Sequence, residues 1–349
     1  MKNFNHEIYI GDKRVSNDDP TYIIAEIGSN HGQSLEKAKE MIDAAAECGA
    51  DAAKFQSLNF ESLYKSDKTD VDIKELFELI ELSEDWYASL SQHCAKRGLH
   101  FISAPTYLEA VKLLADVGSP ALKIASPQFD LYPEITLEAK KYALPLIMSV
   151  GISSPGDIDK MMNLCIEEEI KNIVLLHCVS QYPTPAENAN LSFIQTLKNT
   201  YNCLVGYSDH TLGIHFPVSA VALGASVIEK HFTLDKKSAG PDHHFASEPD
   251  EFKLMVDQIR EIKSGLGDGR KAPLTAWEKG HRERIAMKFV ANENISAGSR
   301  FNSENFVLKR GNGGIAREHL ALIKKFTMKV NLKKDEMLEW QHLIEDIKS

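Results

Sequence analysis

Residues 100–126 read, in succession, HFISAP, TYLEAVKLLADVGSP and ALKIAS. The first and last pieces are short apolar runs of strand length, and the middle piece carries apolar residues at helical spacing before a glycine stop. The same unit recurs along most of the chain. Apolar, β-branched runs lie at 22–27, 52–57, 100–105, 121–126, 146–151, 172–179, 204–210 and 226–233, each followed by a longer amphipathic stretch. Near-continuous apolar strands alternating with helices imply a parallel sheet covered on its faces. Eight such units in about 250 residues are the count for a closed (β/α)8 TIM barrel. The rival is a doubly wound open sheet, which has fewer strands. Its GxGxxG turn is absent after the first strand here.

Outward from the barrel, residues 1–20 predict a small N-terminal hairpin, 21–267 the catalytic barrel and 268–287 a polar, turn-rich linker. Residues 288–349 predict a separate small domain of short strands and turns such as SAG and GNGG. The chain has 349 residues, 43% hydrophobic and 26% charged, with a net charge of -10. No basic run is present of the kind that nucleic acid or an anionic membrane would need. An anionic small substrate stays open, because a pocket can be locally positive on an acidic protein. Five cysteines are scattered without a CxxC pair, which points to a reducing compartment. The start is polar, with no signal-like apolar region, and no apolar run approaches the ~20 residues of a membrane helix. The expectation is a cytoplasmic enzyme with neither nucleic-acid nor membrane partners.

In such a barrel the active site lies at the C-terminal ends of the strands. Polar residues late in the eight runs are therefore the candidates. Glu26 ends the first run, and Lys54 shares a face with Gln56 in the second. Lys123 lies in the fourth run, before Ser126 and Gln128; Ser149 lies in the fifth. The sixth runs into Ser180 and Tyr182, and Ser208 shares a face with His210 in the seventh. Glu229 and His231 share a face in the eighth, with Asp242 in the following loop. A lone lysine in an apolar strand can snorkel out between helices. Two lysines in strands buried on both faces call for a partner such as phosphate or carboxylate. His210 and His231, ending adjacent strands, can bind one divalent metal or stand as satisfied strand-end histidines. His177 and Cys178 are adjacent on one strand and point to opposite faces, which argues against a Cys-His nucleophile formed by that pair.

On the stretches IIAEIGSNHGQSLEKAKEMIDAAAECGADAAKFQ, ALKIAS, LLHCVSQYPTP, GYSDHTLG, LGASVIEKHFTLDK and GPDHHFASEPDEF, the chain resembles the sialic acid synthase (N-acetylneuraminate synthase) family. That family includes the legionaminic, pseudaminic and spore-coat polysaccharide synthases. The resemblance runs from about residue 20 to 265, and the tail resembles the family's antifreeze-like (SAF) domain. It implies condensation of phosphoenolpyruvate with an N-acylated hexose-type sugar to a nine-carbon 2-keto-3-deoxy acid plus phosphate. It implies a divalent cofactor, Mn²⁺ or Mg²⁺, held by His210 and His231. By the same resemblance Lys54, Lys123, Ser126, Ser149 and Ser208 bind phosphoenolpyruvate, with Ser180 beside them. Tyr182 stands between the two substrates, and Glu26 and Asp242 hold sugar hydroxyls. Arg310 reaches the sugar N-acyl group in a partner's barrel, which implies a domain-swapped homodimer.

The chain departs from the family pattern at four places. Gln128 stands where Glu is common, and a neutral amide cannot act as a base. Ser180 replaces a common Asn, Ala104 a common Thr, and KRGNGG a common KRPG. Gln128, Glu26 and Tyr182 are the positions expected nearest the chemistry. Two alternatives remain at the level of sequence. One is a Schiff-base (β/α)8 aldolase using Lys54, Lys123 or Lys230. The other is a non-catalytic protein that binds sugar acids, motivated by Gln128.

Overall fold

A computed structural model describes residues 4–65 and 71–345. Residues 1–3 of the expected hairpin segment and 346–349 of the expected small domain lie outside these. The chain divides into two compact units, Met1–Asp268 and Gly269–Ser349.

The first unit opens with an antiparallel hairpin of β1 (Glu7–Ile10) and β2 (Lys13–Ser16). Eight further strands follow. They are β3 (Tyr22–Glu26), β4 (Ala52–Ser57), β5 (His100–Pro105), β6 (Leu122–Ile124), β7 (Leu146–Ser149), β8 (Ile173–Cys178), β9 (Leu204–Asp209) and β10 (Val227–His231). They form one sheet in the order β5-β4-β3-β10-β9-β8-β7-β6, and its hydrogen-bonded neighbours run parallel. The edge strands β5 and β6 lie side by side and bring the sheet round into a barrel. The sequence-predicted runs match these strands in order. The fourth is shorter than its run, and Ser126 opens a short helix, Ser126–Asp130, where a strand end was expected. Pro127 suits that place, because a proline in the first helical turn loses no hydrogen bond.

Period two along each strand sorts side chains between the barrel interior and the helix layer. Tyr22, Ile24, Ala52, Ile102, Ala121, Ile147, Val174, Leu176, Leu204 and Val227 form one apolar cluster inside the ring. Ile8, Ile10 and Val15 of the hairpin join that cluster and cap it from below. The alternate residues, among them Ile23, Ala25, Phe55, Leu175 and Ile228, pack against the helices in a second, larger cluster. A representative helix, Leu35–Glu47, starts at Ser34, whose hydroxyl accepts the Lys37 N–H, and buries Ala38, Met41, Ile42 and Ala45. Full burial of a side chain such as Met41 or Ile42 contributes about 1.5–3 kcal/mol.

The second unit pairs β11 (Lys288–Ala291) with β12 (Phe306–Lys309), and β13 (Phe326–Met328) with β14 (Leu343–Glu345), both antiparallel. Its own core includes Phe289, Phe301, Phe306, Ile315, Met328 and Leu338. The stretch expected as a turn-rich linker contains a helix, Ala276–Ile285. Thr275 and Glu278 form a capping box at its start, a signature legible in the sequence TAWE. Among the described residues no helix is long and apolar enough to cross a membrane.

Candidate active site

Two residues further along six of these strands the inward positions turn polar, while β5 continues with Ala104 and β9 passes Gly206 before reaching Ser208. Above Ile24 comes Glu26; above Ala52 come Lys54 and Gln56; above Ala121 comes Lys123. Above Ile147 comes Ser149, above Leu176 Cys178, and above Val227 come Glu229 and His231. These side chains line one cavity at the C-terminal ends of the strands, together with Ser126, Tyr182, Ser208 and His210.

At its floor lie two ammonium groups and two carboxylates, all buried. Lys54 Nζ is 2.9 Å from Glu26 Oε2 and 3.7 Å from Glu229 Oε2. Lys123 Nζ donates to Ser149 Oγ at 2.6 Å and lies 4.0 Å from Glu229 Oε1, which accepts from Ser208 Oγ at 2.9 Å. The two lysines respond differently. Burial pulls both pKa values down, but Glu229 and Glu26 more than offset it at Lys54, which ends above its ordinary value. At Lys123 burial prevails and the pKa is lowered. Burial raises Glu26, whereas Lys123 and Lys54 overcome the burial of Glu229 and lower it. Glu26 Oε2 is met by the Lys54 ammonium, whereas Glu229 Oε2 makes no hydrogen bond. Buried ammonium and carboxylate groups packed this closely in one cavity mark a candidate functional site.

On one side, Ser126 Oγ accepts the Gly151 N–H at 2.9 Å. A side chain at Gly151 would run into the hydroxyls of Ser126 and Ser180 and the Cys178 sulfur, so a bare backbone keeps that corner open. On the other side, Gln56 Nε2 donates to Glu26 Oε1 at 2.8 Å and Ser29 Oγ donates to Asp242 Oδ2 at 3.2 Å. Gly28, at φ +53°, passes directly over these groups; an added Cβ would meet Asp242, Gln56 and Glu26 oxygens or nitrogens at 3.3 Å each. A row of acceptors beside an amide suits recognition of hydroxyls.

His210 and His231 face each other with ring centroids 5.3 Å apart. The Nδ1 of His210 lies 2.9 Å from the Val179 carbonyl, to which it can only donate, so in the neutral ring the lone pair is on Nε2. The Nδ1 of His231 is buried without a hydrogen-bond partner, 3.8 Å from Asp242 Oδ2. Burial holds the His231 pKa well below its ordinary value, so the ring is neutral. At His210 burial is outweighed by Cys178 and the Val179 carbonyl, which raise its pKa. Two facing imidazoles, one with an unsatisfied ring nitrogen, fit a divalent cation once both are deprotonated at the metal-facing nitrogen. Among the described residues no cluster of three or more His, Cys, Asp or Glu has the spacing of a metal cage. A cation on this pair would therefore take its remaining ligands from water and substrate oxygens.

Most residues singled out from sequence meet in this one place. Gln128 is buried in the helix Ser126–Asp130 and is not part of the cavity wall. Arg310 is exposed just beyond β12 in the second unit. Lys230 faces the helix layer and is tied to Asp209 at 2.6 Å, which removes it from the candidate nucleophiles. Two neighbours were missed. Cys178 Sγ lies 3.9 Å from His210 Nδ1, a pairing across strands rather than with His177. Phe245 packs on His231 at 4.8 Å between centroids, under Tyr182 at 5.5 Å. The inward period of β8 pointed to Cys178; Phe245 lies in a loop and left no periodic signal.

A parallel eight-stranded barrel with lysines, carboxylates and a histidine pair converging at its strand C-termini defines a (β/α)8 protein with its candidate site where barrel enzymes carry theirs. A family model described as the NeuB family matches residues 41–271. The chain belongs to that family. It is 42% identical over 97% of its length to an uncharacterized protein of Methanocaldococcus jannaschii, covering 99% of that protein. It is 38% identical to the N,N'-diacetyllegionaminic acid synthase of Campylobacter jejuni, covering 91% of this chain and 98% of the relative. Among solved structures, the N-acetylneuraminic acid synthetase of Leptospira borgpetersenii, in complex with citrate, superposes with a TM-score of 0.72. It shares 35% identity and covers 80% of this chain and 97% of that one.

Proposed function

We propose that the protein condenses phosphoenolpyruvate with an N-acylated hexose-type sugar, N-acetylmannosamine or a diacetamido-trideoxyhexose, giving a nine-carbon 2-keto-3-deoxy acid and phosphate. The observation that carries this reading is the pair of buried ammonium groups, Lys54 and Lys123, ending in one cavity directly beneath His210 and His231. Family membership and the relative named as a legionaminic acid synthase support it.

Lys54 and Lys123, with the hydroxyls of Ser126, Ser149, Ser180 and Ser208, hold the phosphate and carboxylate of phosphoenolpyruvate. Fixed donors around a growing negative charge stabilise it most where water is excluded. Glu26, Gln56 and Asp242 take the sugar hydroxyls, and Tyr182 stands over the histidine pair between the two substrates. Held this way, the C3 carbon of phosphoenolpyruvate meets the aldehyde carbon of the open-chain sugar, and a C–C bond forms as the aldehyde oxygen takes a proton. Water adds to C2, and phosphate leaves with the C2–O bond, producing the ketone. Gln128 cannot accept the water's proton, so that role falls to Glu26, the cavity carboxylate whose pKa burial raises. His210 and His231 would hold the divalent cation, Mn²⁺ or Mg²⁺, which when bound polarises the sugar aldehyde as a Lewis acid.

The second unit is read as the antifreeze-like (SAF) domain of a domain-swapped homodimer, with Arg310 reaching the N-acyl group of sugar in the partner's barrel. The deciding experiment is phosphate release from phosphoenolpyruvate with Mn²⁺ across a panel of N-acylated hexoses, with mass spectrometry of the products. A keto acid of the summed mass less phosphate names both reaction and sugar. A protein that only binds sugar acids would release no phosphate with any sugar in the panel. The Schiff-base alternative keeps one supporting observation, the lowered pKa of Lys123. Borohydride trapping of a substrate on Lys123, with activity surviving EDTA, would favour it instead.

A further inference from the structure

Behind the histidine pair, on the face of the sheet turned away from the cavity, sits an ion pair the chemistry does not use. Asp209 and Lys230 are register partners on β9 and β10, one position ahead of His210 and His231 respectively. Lys230 Nζ donates to Asp209 Oδ2 and to the Thr211 carbonyl, both at 2.6 Å. Asp209 Oδ1 accepts the Thr211 N–H at 3.0 Å. Both side chains are fully enclosed, at 1% and 0% exposure. The residues on either side of His210 are thus fastened to the residue immediately before His231.

Two charges taken this far from water carry a desolvation cost of several kcal/mol each, and apolar residues of similar volume would hold the same strands together at least as well. What apolar residues would not supply is direction. Three short polar contacts fix where the end of β9 stands relative to β10, and with it the separation of the two imidazoles. We propose that Asp209 and Lys230 are positioning residues that hold His210 and His231 at the spacing a shared divalent cation requires. This rests on the reading of those histidines as a cation site. Contacts that orient metal-binding rings typically cost 10- to 100-fold in affinity when lost; here the orientation would pass through the backbone of β9 and β10, since the pair touches neither ring.

The test is a Mn²⁺ titration of the full-length, chelator-treated protein, with free Mn²⁺ read by electron paramagnetic resonance, alongside thermal melting. The variant is Asp209→Asn/Lys230→Met, which removes both charges together and keeps a partner for the Thr211 N–H. The expected result is a loss of Mn²⁺ affinity of about 10- to 100-fold, with phosphoenolpyruvate affinity and melting temperature close to native. Native Mn²⁺ affinity in the double variant overturns the proposal, as does a parallel fall in every property, which would mark the pair as structural only. If the double variant does not fold, Asp209→Asn alone, which keeps an acceptor for the Thr211 N–H, is read by the same criteria. A native protein that binds Mn²⁺ no better than His210→Ala removes the cation reading itself, and the positioning role with it.

Discussion

The lower and upper halves of the same eight strands make an instructive contrast. Below, inward positions are Ile, Val, Leu, Ala and one Tyr, plugged by Ile8, Ile10 and Val15 of the hairpin. Above, one or two inward positions later, they are Lys, Glu, Ser, Gln, Cys and His. The backbone is one continuous ladder through both. The lower layer stabilises by burial of apolar surface; the upper layer spends that stability on charges that only partly satisfy one another. A barrel can therefore separate the layer that holds it together from the layer that lines its cavity by a single step along most of its strands.

That separation can be broken or sharpened by substitution. The largest effect falls on function: His210→Ala costs on the order of 1,000-fold in turnover while melting as the native protein does. Steady-state phosphate release and a circular-dichroism melt measure the two together. Next comes the lower layer. Ile147→Ala destabilises by about 2–5 kcal/mol in denaturant titration, yet turnover per folded molecule stays native. A loss of turnover equal to that of His210→Ala would erase the distinction between layers. Third, Lys123→Met weakens phosphoenolpyruvate binding about tenfold or more, since a hydrogen-bonded charge is worth about 1.5–3 kcal/mol. Its melting temperature holds level or rises, because burial already disfavours the Lys123 charge.

A fourth prediction tests the proposed swapped dimer. Arg310→Ala raises the sugar KM about tenfold, as loss of one charged contact does, and leaves the phosphoenolpyruvate KM alone. Mixing it with His210→Ala under conditions that exchange subunits restores about a quarter of the sites if each barrel borrows its partner's arginine. Without swapping, mixing restores nothing. The smallest effect is a pH limb. Lys123 binds an anion only when protonated, and its lowered pKa means the proton leaves at lower pH than from an ordinary lysine. Phosphoenolpyruvate affinity accordingly falls as pH rises through a value below 10.5, the ordinary lysine value. Lys123→Arg, which stays charged, carries that limb to higher pH.

Much of this contrast was legible in sequence because it is periodic. Spacing of two put Lys54 with Gln56, Ser208 with His210 and Glu229 with His231, and each pair does share the interior. The lost details are those that depend on closure. Cys178 meets His210 only because β8 and β9 are neighbours. Phe245 reaches His231 from a loop whose path no period describes. Lys230 looked equivalent to Lys54 and Lys123 as a lysine in an apolar strand, but it occupies the opposite parity and faces outward. The helix Ala276–Ile285 was hidden by its polarity, although its capping box was written in the sequence.

The ladder between β3 and β10 joins Tyr22–Glu26 to Val227–His231, and Ser29 bonds to Asp242, 213 residues away. During synthesis at the ribosome, the first barrel strand must wait for the last before it has a partner on that side. Glu26 and Lys54 emerge early but enclose nothing until the residues around 231–242 have left the exit tunnel. The hairpin that plugs the floor is made earlier still, with Ile8, Ile10 and Val15 exposed through that wait. A newborn chain of this protein therefore carries open strand edges and bare apolar surface for most of its translation, exposed to wrong pairing until its ring can shut.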